Sequence, residues 1–225
     1  MFADFAPHRM INQQRSPTGW ARSAQQKLVF ALGTALAAGC SSQPDAFEAP
    51  DVNAESAAEQ ALDLYDSNGD DALNRQELTR CPGMLGKMKL YDANSNGSLE
   101  RDEIVQRVAE LLNRGTGGTT LSAQVYLNGS PLRGATVVLE PEPYLGGEVQ
   151  AAQGVTNGAG TTNLAIPPEY VPEQLRRIKT VHYGTFKVRI THPKVPIPAK
   201  YNSETQLGYE TEPGNPYVTF TLTSK

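Results

Sequence analysis

The stretch DANSNGSLERDE, Asp92 to Glu103, decides how this chain is read. It places Asp92, Asn94 and Asn96 at positions 1, 3 and 5 of a 12-residue window and Glu103 at position 12. Twenty-six residues upstream, DSNGDDALNRQE, Asp66 to Glu77, repeats the pattern with Asp66, Asn68, Asp70 and Glu77. Aligning Leu62–Leu78 with Met88–Ile104 gives seven identities in 17 positions, among them Tyr65/Tyr91, Leu73/Leu99 and Arg75/Arg101. The segment is therefore an internal repeat.

Hard cations explain the spacing. Calcium takes six to eight oxygens at about 2.3–2.6 Å. A loop wrapped around it turns positions 1, 3 and 5 inward, offers a backbone carbonyl at 7 and a group at 9, and closes with glutamate at 12. The first set is Asp66, Asn68, Asp70, the carbonyl of Ala72, Asn74 and Glu77. The second is Asp92, Asn94, Asn96, the carbonyl of Ser98, Glu100 and Glu103. Both loops resemble the EF-hand family, and the resemblance implies Ca2+ as cofactor. It also implies a short two-stranded contact between the loops at Leu73 and Leu99.

The flanks have helical period. Ala58, Ala61, Leu62 and Tyr65 share one helix face, as do Met84, Met88 and Tyr91. Asn74 is placed to cap the exit from the first loop. Position 6 needs a left-handed backbone; Gly97 suits it, whereas Asp71 adopts it at some cost. Only 14 residues, Leu78 to Tyr91, join the loops, and they include Cys81-Pro82-Gly83. The helices between the loops must be short. That favours a structural ion over a sensor that opens.

The 225-residue chain has 39% apolar residues, 16 prolines and a net charge of −4. Nothing in the charge balance points to nucleic acid, and no such partner is expected. Residues 55–113 hold 12 acids against 6 bases, and residues 114–225 hold 8 against 10. Two modules of different character are expected.

Leu28 to Ala38, LVFALGTALAA, is an 11-residue apolar run behind Arg15, Arg22 and Lys27. It is long enough for a signal-peptide core and too short to span a bilayer, which takes about 20 residues. Gly39-Cys40-Ser41 follows and resembles a bacterial lipobox, although Ala37 stands where leucine is usual. That resemblance implies lipidation at Cys40, cleavage of residues 1–39 and a tether over 40–54. The expected location is the cell envelope, with the protein lipid-anchored to the membrane and facing the periplasm or the exterior. Lipidation of Cys40 would leave Cys81 without a disulfide partner.

Past the linker at 114–118, the period changes to two. Leu121, Ala123, Val125 and Leu127 alternate before Asn128-Gly129, and Ala135, Val137 and Leu139 after it. Asn157-Gly158 marks another turn, before Leu164 and Ile166. Phe186, Val188 and Ile190, then Val218, Phe220 and Leu222, mark later strands. The order VYLNGSPLRGATVVLEPE, GVTNGAGTTNLAI, GTFKVRIT and IPAKYNSETQLGYETEPGNPYVTFTL resembles the carboxypeptidase regulatory-like domain. This implies an antiparallel transthyretin-like β-sandwich over 119–225, serving contacts or structure. The expected fold class is α+β and multidomain: an EF-hand pair over 55–113, then this sandwich.

No nucleophile motif, zinc spacing or phosphate loop accompanies His182 and His192, so the chain is expected not to be an enzyme. Its partners are expected to be calcium, a membrane through the lipid, and an envelope protein or glycan. The alternative function is calcium-dependent carbohydrate binding by the sandwich loops, with Tyr144, Tyr170 and Tyr183 as stacking faces. The basic cluster Arg176, Arg177 and Lys179 would meet an anionic glycan or head group, or simply solvent.

Overall fold

Helix α1, Ala54–Tyr65, begins where the Asn53 side chain accepts the Ser56 N–H at 2.9 Å. It buries Ala57, Ala58, Ala61 and Tyr65. The described structure, a computed structural model, covers residues 47–114 and 116–225. The signal segment 1–39, Cys40 and the tether up to residue 46 lie outside the described residues.

The first loop leads from α1 through strand β1, Ala72–Asn74, into a single 3-10 turn, Glu77–Arg80. Two four-residue helices follow, α2 at Pro82–Leu85 and α3 at Met88–Tyr91. The second loop ends in β2, Ser98–Glu100, and the 12-residue α4, Arg101–Leu112. Helix α4 buries Ile104, Val108, Leu111 and Leu112 and packs along α1. Pro82, which has no N–H to continue the 3-10 turn, stands at the first position of α2, where none is needed.

The remaining strands form two larger sheets and one small one. In order they are β3 (Gly118–Thr119), β4 (Leu121–Leu127), β5 (Ser130–Pro131), β6 (Thr136–Pro141), β7 (Ala152–Val155), β8 (Thr161–Leu164), β9 (Val181–His182), β10 (Thr185–Thr191), β11 (Gly208–Glu210) and β12 (Tyr217–Leu222). One sheet runs β11-β10-β6-β7, antiparallel throughout. In the other, β4 pairs with β12 on one side and with β8 and β5 on the other. Strands β3 and β9 pair by themselves.

The fold is thus α+β, with one correction to the expected antiparallel pattern. Strand β12 runs parallel to β4, from Tyr217↔Ser122 to Leu222↔Leu127. It follows β11, which sits in the opposite sheet, so no hairpin dictates its direction.

The helical part and the sheets belong to one compact unit, with one continuous hydrophobic core among the described residues. The alternating residues Val137, Leu139, Phe186, Val188 and Ile190 join Leu121, Ala123, Val125, Phe220 and Leu222 in it. So do Met84, Met88 and Tyr91 from between the loops. The described end of the expected tether is held rather than free. The Gly117 N–H donates to the Phe47 carbonyl at 2.8 Å, and a Cβ at Gly117 would lie 1.7 Å from the Glu48 oxygen.

Candidate metal centre and its seat on the sheet

The two 12-residue loops fold alike from different residues. Positions 4 and 6 have positive φ in both: Gly69 (74°) and Asp71 (61°) in the first, Ser95 (61°) and Gly97 (87°) in the second. These left-handed residues curl the chain so that N–H groups point at the side chains that begin and end each loop.

Six hydrogen bonds recur at matching positions. Asp66 accepts the Asp71 N–H at 3.0 Å, and Asp92 accepts that of Gly97 at 3.0 Å. Asn68 accepts from Asp70 N at 2.9 Å, and Asn94 from Asn96 N at 2.9 Å. Asp70 accepts from Ala72 N at 3.1 Å, and Asn96 from Ser98 N at 2.8 Å. Glu77 closes the first ring by accepting from Ser67, Asn68 and Asn74 N–H groups at 2.9, 3.2 and 3.0 Å. Glu103 does so in the second with Ala93, Asn94 and Glu100, at 2.9, 3.1 and 3.0 Å.

Leu73 and Leu99 face each other across the antiparallel β1–β2 pair, both fully buried. Asn74 also accepts the N–H groups of Gln76 and Glu77, at 2.8 and 3.2 Å, which starts the 3-10 turn.

Burial pushes the carboxyls of Asp66 and Glu77 upward in pKa. The backbone N–H groups outweigh it and hold both below the ordinary carboxylate values. Among the described residues, no lysine or arginine pairs with Asp66, Asp70, Glu77, Asp92, Glu100 or Glu103 within the first or second loop's ligand set. Negative charge is therefore gathered without a protein cation to balance it. No group of three or more His, Cys, Asp and Glu side chains forms a cage among the described residues. The donor set is mixed instead, with Asn68, Asn74, Asn94, Asn96 and the carbonyls of Ala72 and Ser98. Oxygens of this kind suit calcium, a hard ion that accepts carbonyls and carboxylates alike.

A second constellation was not visible in the sequence. Tyr65 and Tyr91, the residues just before each loop, both run into a buried polar patch on the outer side of the β10 sheet. The Tyr65 hydroxyl donates to Glu142 at 3.2 Å, and the Gly83 N–H donates to the same carboxylate at 3.2 Å. Glu142 is fully buried, and Lys187 approaches it at 3.6 Å. Burial raises its pKa, and Lys187 pulls it partway back. Tyr91 is buried beside Tyr144 and Glu210, and burial raises its pKa. Glu210 pairs with Arg107 of α4, and Glu212 with Lys87.

Glycines permit this seating. A Cβ at Gly208 would lie 1.9 Å from the Pro82 carbonyl oxygen, and one at Gly83 would meet the Thr185 Cβ at 3.0 Å. Helix α2 therefore touches β10 and β11 backbone to backbone. Cys81, fully buried beside Glu142, has its thiol pKa pushed up by burial.

The aromatic faces proposed for sugar stacking need correction. Tyr144 and Tyr183 are only 1% and 6% exposed, consumed by the core, while Tyr170 is 53% exposed. Of the two histidines, His182 accepts the Gln150 N–H at 3.1 Å and is buried, which lowers its pKa to about 4. His192 Nδ1 accepts from Lys194 and Val195, and its Nε2 bonds the Arg133 carbonyl. Arg176 is spent on the carbonyls of Pro168 and Val171 within its own loop.

No family model and no curated protein matches the sequence. Among solved structures, the crystal structure of a 9R-lipoxygenase from Cyanothece PCC8801 is similar at 14% identity and a TM-score of 0.26. The match covers 66% of this chain, which spans only 23% of that protein. It runs against the expectation that the chain is not an enzyme, and that expectation is withdrawn. At such a TM-score the likeness carries no argument for a lipoxygenase fold or reaction here.

Proposed function

We propose that the chain binds two calcium ions, one in each EF-hand loop, and that these ions stiffen a lipid-anchored envelope protein. The single observation that carries the reading is the six-fold recurrence of loop hydrogen bonds at matching positions. Asp66, Asn68, Asp70, Asn74, Glu77 and the Ala72 carbonyl hold the first ion. Asp92, Asn94, Asn96, Glu100, Glu103 and the Ser98 carbonyl hold the second. The ion supplies positive charge to oxygens that the loops already gather. Residues 119–225 form a transthyretin-like β-sandwich on which the paired loops sit. Cys40 carries the lipid.

The inner helices support a structural ion rather than an opening sensor. They are four residues each, and α2 is locked to β11 by the contact at Gly208. Calcium at a hundred times its dissociation constant should raise stability by about 2.7 kcal/mol per site. Thermal melting in calcium and in chelator reads this directly. A rise of several degrees that vanishes in Glu77→Gln/Glu103→Gln is expected; equal melting temperatures in calcium and chelator would contradict the proposal. Labelling with a radioactive fatty acid tests the anchor, and Cys40→Ser should lose the label.

A further inference from the structure

The sheet face carried by β12, β4 and β8 has an unusual makeup. Paired residues in neighbouring strands point to the same side. One row across the three strands is Tyr217–Ser122–Asn163, and the next is Thr219–Gln124–Thr161. Their inward neighbours Phe220, Leu121, Ala123 and Leu164 are buried, so both rows face outward. None of the six is charged. An ordinary surface would place about two charges among six such positions. Tyr217 is 71% exposed at the end of the first row.

Positive charge lies just beside that row. Tyr217, Ser122 and Asn163 line a groove of about 410 Å³ together with Arg177 and Lys179. Neither cation makes an ion pair among the described residues, and no acid lines the groove. With Arg176 tied into its own loop, Arg177 and Lys179 are the part of the basic cluster that the groove receives.

We infer that this face binds an acidic saccharide chain. Tyr217 stacks on a sugar ring, and the Ser122, Asn163 and Gln124 side chains meet ring hydroxyls. Arg177 and Lys179 take a carboxylate or sulfate on the neighbouring sugar. The row spans two strand spacings, about 10 Å, a length suited to a disaccharide unit. Other occupants fit less well. A protein partner wants an apolar or aromatic centre, and these rows are mostly hydroxyl and amide. Nucleic acid binders neutralise many phosphates, and two cations are too few. A lipid-binding basic patch gathers about four to eight cations; here there are two, with Ile178 exposed between them.

The inference is independent of the calcium reading, because none of these residues belongs to the loops. The test uses the full chain on an array of carboxylated and sulfated oligosaccharides with their neutral counterparts. Calorimetry then follows on the best ligand, with and without chelator at a temperature where the protein remains folded. Binding to acidic members is expected. Tyr217→Ala should weaken it at least tenfold. Arg177→Gln/Lys179→Gln should also weaken it about tenfold and erase the preference over the neutral sugar. Both variants should melt like the parent, since the three side chains are exposed, and chelator should leave affinity unchanged. The proposal is overturned by no binding anywhere on the array, or by binding that survives both variants. Loss of binding on chelation, capture by phosphatidylserine vesicles in place of sugars, or variants that change the sedimenting mass would overturn it too.

Discussion

The two loops reach one geometry by complementary means. The first puts glycine at position 4 and aspartate at position 6; the second puts serine at 4 and glycine at 6. Each therefore carries one residue with a side chain in the left-handed region. Their exits differ more. Glu77 leads into a single 3-10 turn and then α2, pressed against β11, whereas Glu103 leads into the long α4. The first loop is thus fixed mainly by the sheet beneath it, the second mainly by its own helix. The lesson is that a local ring of hydrogen bonds sets the loop shape, while distant contacts set how firmly it is held.

The strongest way to break this comparison is Gly208→Ala. Its new methyl would fall on the Pro82 carbonyl at 1.9 Å, so α2 or β11 must shift. We expect a loss of about 3 kcal/mol or more and a fall in Tm of about 6–12 °C. Calcium affinity should drop further at the first loop than at the second. Equal losses at both sites would show that α2 does not distinguish them.

Acid separates the loops from the sheets. The His182 pKa is about 4 in the folded chain against an ordinary 6.5. The unfolded chain therefore binds the extra proton first as pH falls. Stability from this residue is complete above pH 6.5 and is lost between there and about pH 4. The loss is up to about 3 kcal/mol. His182→Gln should flatten that limb in melts run in chelator, and an unchanged slope would place acid sensitivity elsewhere.

Smaller effects sharpen the loop comparison. Nothing lies within 4 Å of a Cβ added at Gly69 or Gly97, so Gly69→Ala and Gly97→Ala act through φ alone. Each should cost about 1–2 kcal/mol, and the two losses should match. The reverse changes, Asp71→Gly and Ser95→Gly, should stay within about 0.5 kcal/mol of neutral. The left-handed strain they relieve is offset by the extra freedom glycine gives the unfolded chain. Unequal glycine losses would mean that one loop can rearrange where the other cannot.

The parts legible in the sequence are those governed by near neighbours. Ligand-type residues at positions 1, 3, 5 and 12 stand out because a loop is a local object. Alternation marked β4, β6, β10 and β12 because each buries one face. Strands β7 and β11 escaped because Ala152–Val155 and Gly208–Glu210 are too short to show a period. The parallel register of β12 depends on where a long connection returns. Glu142 carries no signal in the sequence, where it is one of two glutamates in Glu140-Pro141-Glu142. It is buried because α1 and α2 cover it, a contact 59 residues from Gly83 and 77 from Tyr65. Gly208 carried no signal either, since its role appears only against Pro82.

The most direct test of the account is calorimetric titration of calcium into the chain and into Glu77→Gln, Glu103→Gln and the double variant. The account predicts about two ions for the parent, one for each single variant and none for the double. Absence of binding at millimolar calcium, or unchanged stoichiometry in the double variant, would contradict it and leave the two rings as turns held by their own hydrogen bonds.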